Sequence, residues 1–470
     1  MKFQNLRRPF HEIHLWLGII SGFILFVVCL SGTVLVFQTE IRRIAEPARY
    51  FVDVPAGKAA LSADELIAKI ETAKQEQGLK VTSITIPEQP NRTISMSLTA
   101  PRQGGTRPGG GGGRSGGARS GGGAGGEDRG GRGGAAGSLT APGTAPGQGG
   151  ARPGGGGGGR GNTIYANPYT GEIVGEGPNV VDPFFMSVMR LHRFFWLPMQ
   201  YGKPLVGIAT IIFIVVCLWG LILWLPKTWS SFSKWRAWKT GLRIRCRRGT
   251  WPLIYDLHNT IGFYILIPSL ILALTGLCWS FAWYRDAASS ILGERVFSQR
   301  NWSPAAIDPV EESAKPLSVG EIIALQNQLT PGPGEISVSI PQDNESAMAI
   351  RKGRDGFFSS AFRDRTQWDR FRGTTVSVEQ YGKIIEIERF ADKPLGAKLS
   401  LSIRNLHFGD ITGLSSKIFF FAVCLFATTL PLTGTAFWIK QLRAKYVRRK
   451  EKVTSQLFGR QFAKQQSLRE

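Results

Sequence analysis

Four stretches of the chain are apolar without interruption: Leu15 to Phe37, Leu205 to Leu225, Ile261 to Phe281 and Ile418 to Ile439. None holds a charged residue, and a helix of about 20 residues crosses a hydrocarbon core roughly 30 Å thick, so the pattern predicts four transmembrane helices. Between the spans the period of the pattern changes. In residues 38–203, Ser62-x-x-Glu65 is a capping box opening a helix predicted from Ala63 to Gln77. The strands VTSITI and TISMSL follow, then a hairpin in TIYANPYTGEIVGEG with a Pro-x-Thr-Gly turn. Residues 282–414 repeat the plan: a helix from Ser318 to Leu329, strands in EISVSI and AMAIRK, and a hairpin in TTVSVEQYGKIIEIERF. Residues 103–161 are mostly glycine with arginine, serine and proline; too poor in apolar side chains to offset its ordering entropy, this insertion is expected to be disordered.

Laying the third span on the first exposes an internal repeat. HLWLGIISGFILFVVCLSGT from His14 matches HNTIGFYILIPSLILALTGL from His258, with Gly18 and Gly262 four residues after the histidine and Ser31-Gly32 and Thr275-Gly276 near the far end. LHRFFWLPMQYGKP and LHFGDITGLSSK lead into the second and fourth spans, placing His192 and His407 in corresponding positions and Gly220 and Gly434 near the opposite ends. The chain therefore reads as two parallel repeats, each an outward helix, an outer domain and a returning helix.

Charge sharpens the topology. The 57 lysines and arginines against 34 acids could suggest a nucleic-acid partner. Many of them, however, flank the spans: Lys2, Arg7 and Arg8 before the first, the run from Lys227 to Arg248 between the second and third, and the run from Lys440 to Lys450 after the fourth. By the positive-inside rule these segments are cytoplasmic and both long loops lie outside, so the charge calls for a bilayer and no nucleic acid. The basic start and apolar run of the N-terminus are read as an uncleaved first span, the run being too long for a secretory leader. The plan is then 1–37 N-terminus and first span, 38–203 first outer domain with its insertion at 103–161, 204–225 second span and 226–257 basic loop. It continues with 258–281 third span, 282–414 second outer domain, 415–439 fourth span and 440–470 basic tail.

HLWLG at His14, NPYTGEIVG at Asn167, LHRFF at His192, DLHNTIGFY at Asp256 and LHFGDITG at Leu406 together resemble the PepSY-associated transmembrane family, iron-regulated membrane proteins that include ferrisiderophore reductases. The resemblance spans nearly the whole chain outside the glycine tract. It implies a bacterial inner-membrane location, two periplasmic α+β PepSY-like domains and, as in members studied as reductases, haem b. The glycine-rich insertion departs from the family pattern, and so does the second hairpin, where QYGKI lacks the Pro-x-Thr-Gly turn.

The five histidines are His11, His14, His192, His258 and His407, none of them in the bulk of an outer loop. His14 and His258 begin outward helices at one depth and can face each other across one haem; His192 and His407 precede inward helices and can hold a second. Gly18 and Gly262, one turn on, remove side chains where a flat macrocycle would lie. No C-x-x-C-H occurs, and the cysteines sit inside spans (Cys29, Cys217, Cys278, Cys424) or in the basic loop (Cys246), so the two haems would be non-covalent. The alternative is that the histidines are interfacial residues without a cofactor. His11 has no repeat partner and is either bland or a contact to a haem propionate. No zinc-type cluster or hydrolytic motif is visible, and the tryptophans fit aromatic belts.

The expectation is a di-haem membrane oxidoreductase with both termini cytoplasmic. Lacking a nicotinamide or flavin fold, it would take electrons from quinol or a partner reductase and pass them to a periplasmic acceptor, by resemblance ferric iron in a siderophore. A non-catalytic, membrane-anchored module that binds or inhibits peptidases is the alternative.

Overall fold

The computed structural model describes residues 3–100, 163–226, 228–245, 249–297, 304–307, 316–353, 363–371 and 383–467. The glycine-rich insertion and the first arm and turn of the predicted second hairpin lie outside the described residues.

The chain opens with α1 (Phe3–Val36), from which Pro9–Val36 is long and apolar enough to cross a membrane. After α2 (Gln38–Ala45) come α3 (Ala63–Ala73), β1 (Lys80–Ile86), β2 (Ile94–Thr99), β3 (Thr163–Ala166) and β4 (Ile173–Glu176). The short helix α4 (Asp182–Phe194) leads into the second apolar helix, α5 (Met199–Trp224), and α6 (Trp235–Gly241) lies in the basic loop. Two helices then share one apolar stretch: α7 (Thr250–Tyr264) and α8 (Leu266–Ser280), bent by 61° at Ile265. The third span, read as one helix, is thus a bent pair. Pro268 explains the bend, because it offers no N–H to the Tyr264 carbonyl and its ring crowds that turn. The chain continues with α9 (Ala282–Leu292), α10 (Val319–Leu329), β5 (Ile336–Ser339), β6 (Met348–Gly353), β7 (Arg363–Asp369) and β8 (Lys383–Glu388), and ends with α11 (Leu395–Phe408) and α12 (Leu414–Ser467).

The apolar helices form a bundle in which α1 packs on both α5 and α12, and α8 packs on α5. Small residues set the close approaches: a Cβ on Gly22 would touch Pro431, and one on Gly207 would collide with the Phe281 ring.

The strands of the two long loops join in one antiparallel sheet of order β4-β3-β2-β1-β5-β6-β7-β8. The join is β1 with β5, where Ser83, Ile84 and Thr85 pair with Ser339, Val338 and Ser337. Alternation sorts the faces: Ile84, Met96, Ile164, Val338 and Ile350 point to one side with Leu66 and Ile70 of α3 and Ile322 of α10, in a single core across both loops. A capping box at Ser62/Glu65 starts the first helix as the sequence predicts, and a second one at Ser318/Glu321 starts the other. The helices meet at their N-termini, where the Asp64 carboxylate accepts N–H bonds from Val319 and Gly320, both at 3.0 Å. The corresponding residue of the second capping box is Gly320, and a Cβ there would sit 2.5 Å from Asp64 Oδ2.

β7, RDRTQWD, is a strand that alternation does not reveal. Of the residues on its core side, Asp364, Thr366 and Trp368, only Trp368 is apolar, and its indole N–H donates to Gln326 at 2.9 Å. Its charges are neutralised across the sheet, Arg363 by Glu335 at 2.7 Å and Arg365 by Glu388 at 3.6 Å.

Ion pairs tie α2 to the helices that lead into the second and fourth apolar stretches. Arg42 binds Asp182 at the start of α4 at 2.6 Å, and Glu40 binds the buried Lys417 at the start of α12 at 2.7 Å. At the other end of the bundle, Arg7 donates to the carbonyls of Leu223, Leu225 and Pro226, satisfying the acceptors left free at the end of α5.

Candidate functional site: two braced imidazole pairs

The structure brings four of the five histidines together in two pairs. The rings of His14 on α1 and His258 on α7 are 6.3 Å apart between centroids, with planes at 89°. Those of His192 on α4 and His407 on α11 are 6.2 Å apart, at 52°. His11 is half exposed, 3.9 Å from Glu12.

All four rings are held by one device, and the sequence repeat reappears in it. His14 Nδ1 lies 3.0 Å from the Val216 carbonyl and His192 Nδ1 3.0 Å from that of Val28. His407 Nδ1 lies 3.1 Å from the Leu272 carbonyl, and His258 Nδ1 lies 2.7 Å from Thr433 Oγ1, which stands 3.0 Å from the Leu430 carbonyl. Four residues after each of these carbonyls stands a glycine, Gly220, Gly32, Gly276 or Gly434, and the histidine Cε1 rests against it. A Cβ would come within 3.1 Å of Cε1 at Gly220, 3.3 Å at Gly32, 3.0 Å at Gly276 and 3.6 Å at Gly434. The missing side chain lets each imidazole lie flat enough on the neighbouring helix to reach a carbonyl one turn back.

In three of the four cradles a hydroxyl precedes the glycine. Ser31 Oγ is 3.2 Å from His192 Nδ1, Thr275 Oγ1 3.2 Å from His407 Nδ1 and Thr433 Oγ1 2.7 Å from His258 Nδ1. Each hydroxyl has carbonyls of its own helix for its proton: Val27 for Ser31, Ile271 for Thr275, Thr429 for Thr433. The hydroxyls are thus acceptors towards the rings. In the fourth cradle Trp219 holds that position, and the Val216 carbonyl suffices.

The tautomer follows. A carbonyl only accepts, and the Thr433 hydroxyl already gives its proton to a carbonyl of its own helix, so every Nδ1 is an N–H donor, and a neutral imidazole of that form carries its lone pair on Nε2. The arrangement is the one metal-binding histidines use, in which a backbone acceptor on one nitrogen orients the other as ligand.

Each repeat braces its own histidines: α1 and α5 hold His14 and His192, and α7, α8 and α12 hold His258 and His407. The pairs form only between repeats. On α1, His14 and the Val28 that holds His192 are fourteen residues apart, as are His258 and Leu272, which puts about 21 Å of helix between the pairs. His258 sits in a π-turn, Leu257–Ile261, a local widening common at functional positions. Buried Asp256, two residues earlier, anchors the basic loop by accepting from the Arg245 backbone at 3.0 Å and its guanidinium at 2.6 and 2.8 Å.

The glycines facing the rings are repeat marks whose role the sequence leaves unassigned. Gly18 and Gly262, expected to clear room one turn from His14 and His258, face nothing within 4 Å in the first case and only Leu430 at 3.9 Å in the second. Among the described residues no three His, Cys, Asp or Glu side chains converge as a protein-only metal centre would require. Two imidazoles fit instead a metal whose other positions are filled by a macrocycle. Two bonds of about 2 Å, plus about 1.1 Å from Nε2 to each ring centre, give a centroid separation near the 6.2 and 6.3 Å found.

No curated protein matches the chain. The family model described as the PepSY-associated TM region matches residues 11–441, a range that contains all four paired histidines, their glycines and the sheet. The chain is a membrane protein and belongs to the PepSY-associated transmembrane family.

Proposed function

We propose that the protein carries electrons across the bilayer through two non-covalent haem b groups, one held by His14 and His258 and the other by His192 and His407. The observation that carries this reading is the common orientation of the four imidazoles: each gives its Nδ1–H to a helix carbonyl or, at His258, to the Thr433 hydroxyl, and keeps Nε2 for a ligand. Haem bound between these imidazoles would supply one-electron chemistry. The protein's part is to fix the rings, exclude water and space the pairs at two depths.

In the layout we infer, four spans lie in a bacterial inner membrane as two parallel repeats, with the termini and the His14–His258 pair towards the cytoplasm and the shared sheet in the periplasm. The sign of the flanking charge supports this, since Arg7, the 226–257 loop and the segment after Ile439 are all basic. The donor is quinol or a partner reductase and the acceptor a ferric chelate of siderophore type, which the outer pair reduces. This makes the protein a ferric-chelate reductase.

The test is the spectrum and haem stoichiometry of the purified protein. A Soret band with sharp reduced α and β bands and two haems per chain supports the reading. A colourless protein supports the alternative, a membrane-anchored PepSY binding or peptidase-inhibitory module without redox chemistry.

A further inference from the structure

α12 does not stop where its apolar stretch ends at Ile439. It continues as one unbroken helix to Ser467, and the 28 residues from Lys440 onward span about 42 Å. That extension carries nine lysines and arginines and one acid, Glu451. From Leu442 to Glu451 every residue is exposed, including Tyr446 at 71% and Val447 at 52%. Its base is pinned, with the Lys440 ammonium 4.6 Å over the Trp251 ring of α7. Exposed Lys234, Arg236, Lys239 and Arg243 of the basic loop flank the same end of the bundle, where Gly241 accepts from the Trp224 indole and the Thr260 hydroxyl.

Lipid headgroups and an acidic protein surface both attract such charge, and two features separate them. A helix lying among headgroups turns into the membrane plane and segregates its charge on one face. α12 leaves its span without a break, and Arg448, Arg449 and Lys450 are consecutive, so they point in three directions about 100° apart. The charge surrounds a rod standing in water.

We propose that this extension is the docking site of an acidic, water-soluble one-electron carrier that delivers electrons to the His14–His258 pair; the inference rests on the electron-transfer function above. Gly434, against which His258 lies, precedes Lys440 by only six residues, about 9 Å of helix. A carrier held on the first turns therefore stands beside the inner pair. Each productive encounter oxidises the carrier by one electron and reduces the inner centre by one, with no bond made or broken.

The test uses the full-length protein in phosphatidylcholine nanodiscs, with an acidic [2Fe–2S] ferredoxin as probe and surface plasmon resonance as readout. The wild type is compared with the triple variant Arg448→Glu, Arg449→Glu, Lys450→Glu. Expected are binding at low salt, its loss at high salt, and binding about tenfold weaker in the variant at equal haem content. Ferredoxin that binds neither protein, or both equally, overturns the proposal. So does a variant that loses binding to phosphatidylglycerol vesicles or to a DNA duplex while its ferredoxin binding is unchanged. Haem measured on the same samples separates the layers: a haem-loaded protein that ignores ferredoxin removes the docking site alone, whereas a haem-free protein that binds it removes electron delivery.

Discussion

The two imidazole pairs are built by the same rule and differ in how far they are constrained. At the inner pair both histidines stand on membrane helices, the planes are perpendicular, and only His258 has a hydroxyl beside its carbonyl. At the outer pair both histidines end short helices that precede the spans, the planes are at 52°, and both rings have a carbonyl and a hydroxyl. The carbonyl and glycine are thus the common requirement, and the hydroxyl is the adjustable element. A second acceptor on Nδ1–H makes a ring more electron-rich, which favours ferric iron, so haems held at the two pairs would differ in potential although every residue holding them would be histidine.

The largest effects come from removing ligands. His14→Ala and His258→Ala are each expected to lose the inner haem and spare the outer, halving the haem per chain in a pyridine haemochrome assay. Variants that lost different haems, or kept both, would break the pairing. Next in size is transport: in proteoliposomes, His407→Ala is expected to reduce an external ferric chelate at a rate near zero while its inner haem is still reduced by a lipid-soluble donor. Equal rates for variant and wild type would remove the outer pair from the path.

The cradle glycines should give a graded response. Alanine at Gly276 or Gly220 places a methyl group 3.0 or 3.1 Å from an imidazole carbon, at Gly32 3.3 Å, and at Gly434 an ordinary 3.6 Å. Overpacking of this kind costs about 1–3 kcal/mol, so loss of the corresponding haem on mild heating should follow Gly276→Ala and Gly220→Ala, then Gly32→Ala, with Gly434→Ala nearly silent. A uniform response would mean the glycines serve helix packing only. A spectroscopic contrast is finer still. Perpendicular ligand planes give a strongly anisotropic low-spin ferric signal and less crossed planes a more rhombic one, so His14→Ala should abolish the first in electron paramagnetic resonance and His407→Ala the second. The smallest effect lies in the shared sheet and its helices, where Asp64→Ala should cost about 1 kcal/mol by removing the acceptor of the Val319 and Gly320 N–H groups and leave both spectra unchanged.

The histidine pairs are legible in the chain because the duplication marks them: matched spacing at the ends of four apolar runs sets His14, His192, His258 and His407 apart from His11 as two depth-matched couples. The Ser31-Gly32 and Thr275-Gly276 marks are equally visible, but their purpose depends on which helix faces which, and spacing along one helix does not contain that. The single sheet is hidden for a similar reason, since β1 and β5 pair across some 250 residues. β7 is hidden because two of its three core-side positions are polar, Asp364, which accepts from the Phe390 N–H, and Thr366, so the apolar alternation that marks a strand is missing.

Asp64 and Gly320 carry a consequence for how such a molecule can arise. Two separate, identical polypeptides joined by a two-fold axis would bring the same residue to both sides of this contact: two aspartates with repelling carboxylates, or two glycines with no carboxylate for either helix. One carboxylate serving the opposite helix, with a bare backbone in its own mirror position, requires two copies whose sequences differ, as the two halves of one chain can. The contact marks a point where fusion permitted what homodimeric assembly forbids, and it makes the two copies unequal for good: exchanging them by circular permutation preserves the cap, whereas duplicating either one destroys it.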